Sequence, residues 1–156
     1  MKWTVGAPAP TRRPGDPEID AEQVVERLEE AGRTLMRLPR SGYSTAARNF
    51  WPAIKQDPAE AYGWTGEEAR PARPDAAAIT RMDEAFGWLQ LIPHDRFVLR
   101  RIVAARALRH PVNDRHIFPW RRLATVLGAH HQAVQGWHAE GVRLIVAGLN
   151  RYRMAA

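Results

Sequence analysis

Apolar residues recur at intervals of three and four along most of the chain, and this spacing predicts α-helices. The first helix begins near Asp20, a residue type that caps helices well, and its inward face is formed by Val24, Leu28, Leu35 and Leu38. No segment alternates apolar and polar residues as a half-buried strand does. The pattern therefore predicts an all-α fold, a helical bundle of about six helices.

Three further helices are predicted before the last pair. A short one follows Ser44 and runs through "TAARNFW" to Pro52. The next is capped by Asp75, and its apolar stripe consists of Ile79, Met82, Phe86 and Leu89. The segment "HDRFVLRRIVAARAL", which follows Pro93, predicts a fourth helix, with an inward face formed by Phe97, Ile102 and Ala105.

Proline and glycine divide the chain into three parts. Residues 1–18 are proline-rich without apolar periodicity, which predicts a flexible N-terminal arm. Residues 19–74 hold the N-terminal helices and a Pro/Gly-rich connector, which we expect three aromatic side chains to anchor: Trp51, Tyr62 and Trp64. Residues 75–156 form the C-terminal part, in which "RHPVNDRHIFP" is a connecting loop and Pro119 belongs to the first turn of the following helix.

The segment "WRRLATVLGAHHQAVQGWHA" (120–139) has the spacing of a helix-turn-helix. Ala124 suits the point where the two helices cross, and Gly128, four residues later, suits a turn with positive φ. Val134 returns to the core six residues after the glycine, and Trp137 follows one helical turn later. These residues predict a C-terminal helix-turn-helix.

Leu123 and Leu127, on either side of Ala124, are expected in the core of this motif. The same spacing also suits a plain helical hairpin in an all-α bundle, and that alternative stays open. Of the six tryptophans, we expect Trp88, Trp120 and Trp137 to pack inward rather than to form a surface for stacking bases.

Charge favours the DNA-binding alternative. The formal net charge is +6 and the isoelectric point about 10.7. Residues 1–78 hold 11 basic and 12 acidic side chains, whereas residues 79–156 hold 12 basic and 5 acidic ones. The basic excess therefore lies with the motif, as for a protein with a polyanionic partner. All basic residues except Lys2 and Lys55 are arginine, which suits phosphate and guanine but is also typical of a GC-rich genome.

In the DNA-binding interpretation, the second helix of the motif enters the major groove. Base edges are then read by His131, Gln132 and Gln135, because glutamine pairs with adenine and histidine donates to guanine. Phosphate contacts are assigned to Arg121, Arg122, His130 and His138.

Other functions find little support in the sequence. There is no cysteine, which predicts a cytoplasmic protein without disulfides, and no run of apolar residues is long enough to span a membrane. His131 and His138 lie seven residues apart, but no carboxylate completes a metal site, so we expect neither metal nor cofactor. No nucleophile elbow or phosphate-binding loop is present, so we do not expect an enzyme.

Two resemblances support DNA binding. Residues 86–149, with "LIPHDRFVLRRIVAARAL", "WRRLATVLG" and "HHQAVQGWHAEGVRLI", resemble the helix-turn-helix of sigma-factor region 4. Residues 20–150, with "LPRSGYSTAARNFWP", "EAYGW", "ITRMDEAFGWL" and "GLNRYR", resemble an uncharacterised helix-turn-helix family of alphaproteobacteria and their phages or gene transfer agents. The second resemblance implies a phage-derived role.

The leading hypothesis is a transcription regulator of phage or gene-transfer-agent type that binds specific double-stranded DNA. The alternatives are a phage-like small terminase subunit, which would form a large ring, and a helical protein-interaction module. The first helix carries an acidic face, Glu22, Glu26, Glu29 and Glu30, which we expect to be solvated or to bind RNA polymerase or another protein. Self-association is left open.

Overall fold

The computed structural model describes residues 17–38 and 72–154, and within these ranges the chain is helical. The five α-helices there are α1 (Ala21–Arg37), α2 (Ala76–Gly87), α3 (Phe97–Ala107), α4 (Trp120–Leu127) and α5 (His131–Met154). Two short 3-10 helices, Trp88–Leu91 and His94–Arg96, connect α2 to α3. These ranges contain no strand, so the all-α prediction is confirmed.

Several predicted features lie outside the described residues. They include nearly all of the N-terminal arm, the short helix after Ser44, and the aromatic anchors Trp51, Tyr62 and Trp64. The five observed helices correspond to the other five of the six predicted ones. None of these five helices is long and apolar enough to cross a membrane.

Helix α1 begins with a complete capping box, as its N-cap residue predicts. The backbone N–H of Gln23 donates to Asp20 Oδ1 over 2.8 Å, and the backbone N–H of Asp20 donates to Gln23 Oε1 over 3.1 Å. The two bonds satisfy backbone donors that the first helical turn leaves free. Asp75 caps α2 with a single bond, in which its carboxylate accepts from the N–H of Ala78 over 2.8 Å.

The buried side chains form two clusters, and α3 contributes to both. The first cluster joins α1, α2 and α3 to the second half of α5; its members include Val24, Leu28, Met82, Leu89, Ile92, Val103 and Ile145. The second cluster joins α3 to α4 and the start of α5; it consists of Ile102, Ala105, Leu108, Phe118, Leu123, Ala124 and Val134. Helix α3 therefore packs both against α1 and α2, which form the N-terminal bundle, and against the α4–α5 pair.

Glycine allows two helices to approach α3 closely. A Cβ atom on Gly32 of α1 would overlap the carbonyl oxygen of Ala107, at the end of α3. A Cβ atom on Gly141 of α5 would lie 2.7 Å from Cγ2 of Val103. Since real Cβ atoms do not make such contacts, α1 and α5 can pack this tightly only with glycine at these positions.

Two residues predicted to face the core are more exposed than expected. Phe97 is 36% exposed, because it lies five positions before Ile102, a rotation of about 140° around the helix axis that places the two on different faces. Its ring packs instead against His94 and beneath the guanidinium of Arg101. Leu127 is 37% exposed, because it is the last residue of α4 and lies one turn past the buried Leu123.

The acidic face of α1 is also not uniformly solvated. Glu22 and Glu26 are exposed as expected, but Glu30 Oε1 accepts a hydrogen bond from Arg81 Nε over 2.8 Å, which links α1 to α2. Glu29 Oε1 lies 3.6 Å from Arg109 Nη1, in the segment between α3 and α4. Half of this acidic face therefore holds neighbouring parts of the fold together.

The contact at Gly32 predicts a large loss of stability for Gly32→Ala. The added methyl group would push α1 away from the end of α3, and overpacking of this kind costs about 1–3 kcal/mol of unfolding free energy. Gly136→Ala is the matched control, because a Cβ there meets open space and alanine favours a helix by about 1 kcal/mol. Urea denaturation should show opposite signs for the two variants; equal effects would contradict the packing described here.

Candidate nucleic-acid interface

Helix α4 and the first turns of α5 form a helical corner, residues 120–139, whose entry is set by Pro119. This proline is the N-cap of α4, one position before the first turn where the sequence placed it, with φ −62° and ψ 157°. Its carbonyl accepts from the N–H groups of Arg122 and Leu123 over 3.0 and 3.1 Å. Proline suits this position because its own lack of an N–H leaves no donor unsatisfied.

The turn of the corner depends on Gly128. Its φ of 63° and ψ of 33° are left-handed, as the sequence predicted. The N–H of Ala129 donates to the carbonyl of Ala124 over 3.0 Å, and that of Gly128 to the carbonyl of Thr125 over 3.4 Å. This pair of bonds is a Schellman motif, in which a residue without a Cβ is strongly preferred at the left-handed position. The chain then turns sharply, and α5 begins at His131.

The inward side of the corner is held by small and branched apolar residues. Ala124 is 9% exposed and Val134 is completely buried; both belong to the second cluster. The small side chain of Ala124 lets α4 cross close to α5, while Val134 fills the space between α5 and α3. The structure therefore places these two residues where the spacing predicted them.

The opposite side of α5 presents four short or uncharged side chains to solvent. They are Gln132, Ala133, Gln135 and Gly136, all exposed, while His131 at the start of the helix is half-buried. An open groove lies between α4 and the start of α5, with Arg121 and Thr125 on one wall and His130 and His131 on the other. Arg121 thus lines this groove, and both glutamines are exposed on α5.

His130 has a structural role at the start of α5. Its Nδ1 accepts the backbone N–H of Gln132 over 3.3 Å, which satisfies one of the free donors of the first turn. The ring also lies 4.3 Å from the ring of His131, measured between centroids. Because Nδ1 acts as the acceptor, Nε2 is the nitrogen left to donate a hydrogen bond to a ligand.

Two of the residues assigned to phosphates are engaged by the protein itself. Arg122 Nη1 donates to the carbonyl of Ile117 over 3.2 Å, and its guanidinium lies 4.8 Å over the ring of Phe118. The ring of His138 packs edge-on against Trp120, with 5.2 Å between centroids. The structure thus directs both side chains towards the protein, Arg122 by its contacts with Ile117 and Phe118 just before α4, and His138 by its position one turn after the buried Val134.

Burial decides the charge of His138. It lowers the pKa of this imidazole to about 4, and the nearby positive charge of Arg106 acts in the same direction. A histidine that is neutral near pH 7 brings no positive charge to a phosphate. Trp137, expected in the core, is 37% exposed; it lies three residues after Val134 and so at the edge of the buried face of α5.

The loop before α4 is more ordered than its sequence suggests. Arg109 and His116 form an isolated β-bridge, and the N–H of Ile117 donates to the carbonyl of Leu108 over 3.2 Å. At its tip, Asp114 adopts a φ of 57° and accepts hydrogen bonds from Arg33 Nε and Arg109 Nη2 over 2.7 and 3.1 Å. These bonds hold the pKa of the Asp114 carboxyl well below its usual range. The loop therefore fixes the direction in which α4 leaves α3.

The corner lies in a nearly acid-free part of the chain. After Asp114 the sequence contains one acidic residue, Glu140, and its carboxylate is paired with Arg96 of the second 3-10 helix. Arg115, Arg121 and Arg143 are exposed in the same part of the chain. Exposed arginines without compensating carboxylates produce a positive potential that attracts polyanions.

The sequence-based assignment missed Gly136. Of the three glycines within α5, Gly141 and Gly148 face the side chains of Val103 and Leu91, and a Cβ on either would be crowded. A Cβ on Gly136 would meet nothing within 4 Å. A helical glycine that relieves no contact lowers helix stability by about 1 kcal/mol. Its position directly after Gln135, a predicted base reader, was the signal in the sequence.

Together these features define an all-α protein with an exposed, uncharged polar helix face in a basic surrounding. A family model described as a domain of unknown function (DUF6362) matches residues 36–145, and the chain belongs to this family. No curated protein and no solved structure matches the chain.

The low pKa of His138 predicts a loss of stability in mild acid. The unfolded side chain titrates near 6.5 and the folded one near 4, so the unfolded state takes up the proton first. The free energy of unfolding should therefore fall by up to about 3 kcal/mol between pH 6.5 and 4. His138→Phe keeps an aromatic edge against Trp120 but removes the titration, so its stability should depend less steeply on pH.

The measurement is urea denaturation of both proteins at pH 7 and pH 4.5. His116 contributes in the same direction, since burial also lowers its pKa, and so a smaller acid loss should remain in the variant. An undiminished acid loss in His138→Phe would show that His138 is not the group responsible.

Proposed function

We propose that this protein binds double-stranded DNA sequence-specifically, with the start of α5 in the major groove, and acts as a transcription regulator. The observation that carries the proposal is the exposed face of α5 around Gln132, Gln135 and Gly136. This face is held by the left-handed turn at Gly128 and is nearly free of negative charge. An α-helix fits the width of the major groove, where base edges present donors and acceptors.

The glutamines are the proposed base readers. A glutamine amide has both a donor and an acceptor, and it pairs in a bidentate manner with N6 and N7 of adenine. Gln132 and Gln135 lie three residues apart, so they project from the same side of α5 about one turn apart. His131, at the mouth of the groove, is the third proposed reader. Gly136 beside them lets the helix backbone come close to the bases.

Arg121 is the proposed phosphate contact. It is exposed on the first turn of α4 and lines the groove together with Thr125, one turn later. His130 Nε2 is a second donor at the opposite wall. Arg122 and His138 are left out, because their contacts with Ile117, Phe118 and Trp120 direct them into the protein.

The fold supports this use of α5 by holding it at several points. Its second half packs through Val142, Ile145 and Leu149 into the first cluster, while Val134 packs into the second. A reading helix anchored along its length keeps its orientation when it docks, which favours recognition of one sequence over others. Glu22 and Glu26, the exposed acids of α1, are the proposed contact for RNA polymerase or another protein.

The first test is whether DNA affinity depends on salt. If about five phosphates are neutralised, the logarithm of affinity should fall against the logarithm of salt concentration with a slope of about −4 to −5. Fluorescence anisotropy with a pool of random duplexes would measure it. Arg121→Gln should weaken binding to all sequences and reduce the slope by about one, whereas Arg37→Gln, at the end of α1, should change neither. A response that is flat in salt would contradict the proposal.

The second test separates base reading from phosphate contacts. A duplex selected from a random pool should bind Gln135→Ala about 1–3 kcal/mol more weakly, and the variant should accept other bases at one position. Arg121→Gln should lower affinity without changing the selected sequence.

Gly136→Leu provides a steric version of the same test. Leucine is a good helix former and finds open space at this position, so the variant should fold at least as stably as the natural protein. Its side chain would nonetheless stand between α5 and the bases and should abolish sequence-specific binding. Full retention of specific binding would place the DNA on another surface.

A further inference from the structure

A cavity of about 150 Å³ lies where α1, α3, α4 and α5 meet. Its apolar walls include Val25 and Leu28 of α1, Val103 of α3 and Trp120 of α4. Its polar lining consists of Glu29, Arg106 and His138. Apolar cavities of this volume hold one benzene ring in other proteins, which sets the size of a ligand that would fit.

Arg106 brings a positive charge to this cavity, where the charge of Glu29 attracts it from beyond ion-pair distance. Its Nη1 donates to the carbonyl of Phe118 over 3.1 Å, and its guanidinium lies 3.9 Å over the ring of Trp120. No ion pair within residues 17–38 and 72–154 includes it. Burial lowers its pKa to about 10, while the charge of Glu29 acts in the opposite direction. A half-buried charge of this kind is stabilised by an anion that hydrogen-bonds to it.

Glu29 does not supply that anion, because other groups already share its carboxylate. Its Oε1 lies 3.6 Å from Arg109 Nη1 and 3.6 Å from His116 Nε2, and its Oε2 lies 3.8 Å from Arg33 Nη2. Arg33 and Arg109 also pair with Asp114, so the three arginines of this group face two carboxylates and one positive charge stays uncompensated.

His138 adds a neutral hydrogen-bonding group beside this charge. Its ring is fixed by the edge-on contact with Trp120, and no hydrogen bond to its ring nitrogens occurs in the described part of the chain. A neutral imidazole has one donor and one acceptor nitrogen, so it can donate to a carboxylate oxygen that also meets Arg106.

We propose that this cavity binds a small carboxylate with an apolar body about the size of a benzene ring. The carboxylate pairs with Arg106 and accepts from His138, while the apolar body lies between Val25, Leu28 and Val103. Such a ligand touches Leu28 and Val103 of the first cluster and lies beside Trp120, which packs against the second, and it therefore stabilises the junction between the N-terminal bundle and the α4–α5 corner. The proposal does not depend on DNA binding.

The test uses benzoate, with benzamide as its uncharged isostere and acetate as a carboxylate without a ring. The melting temperature of the full chain should rise with benzoate concentration, as expected for a ligand that binds only the folded state. Calorimetry should show benzoate binding about tenfold or more tighter than either control, since a charge-assisted pair is being compared with a neutral one. Equal binding of benzoate and benzamide, or no binding of benzoate, would overturn the proposal.

Variants locate the site. Arg106→Met keeps the apolar stem over Trp120 and removes the charge, so the preference for benzoate over benzamide should disappear. Val25→Phe fills the cavity from α1 and should abolish binding of both compounds while the protein stays folded, which keeps the test valid if Arg106→Met does not fold. Arg143→Met, which removes an exposed arginine of α5 outside the cavity, should bind benzoate unchanged. Unchanged benzoate binding by Val25→Phe would show that the ligand occupies another site.

Discussion

The double burial of α3 is the constraint on which the rest of the structure depends. Leu99 and Val103 face the first cluster, while Ile102 and Ala105 face the second, so that little of this short helix remains at the surface beyond its first turn. A helix that is apolar on most of its circumference is stable only when it is covered on all those sides. The N-terminal bundle and the α4–α5 corner thus bury different sides of α3, and a shift of this helix would move both.

The corner shows how buried residues determine which side chains are exposed. Val134 orients the start of α5 by its position in the second cluster, and the Schellman turn at Gly128 fixes the angle between α4 and α5. With 3.6 residues per turn, a helix with Val134 inward must present Gln132 and Gln135 away from the core. The proposed reading face is therefore the side of α5 that remains exposed once Val134 is buried, and no further interaction is needed to expose it.

Arginine serves two different purposes in this chain. Arg33 and Arg109 pair with Asp114, and Arg81 pairs with Glu30, so that these side chains tie helices and the loop before α4 together. Arg121 is exposed and available to a phosphate, as in the proposed function. Both uses depend on the planar guanidinium, which forms several directed hydrogen bonds while its stem packs against apolar or aromatic surfaces. The net charge of the chain reflects only the second use, because the charge of an arginine that pairs with a carboxylate is neutralised by that carboxylate.

The sequence by itself determined the elements whose causes are local. Helical periodicity, the capping residues Asp20 and Asp75, and the small residue required at the left-handed turn of Gly128 act within a few residues of the chain, and each is found where the pattern placed it. Only the tertiary structure decided the roles of residues whose partners are distant in sequence. His138 became neutral where it packs against Trp120, and Glu30, expected to be solvated, accepts a hydrogen bond from Arg81. The pKa of a group and the direction of its side chain depend on which helices surround it, and that is set by packing rather than by neighbours along the chain.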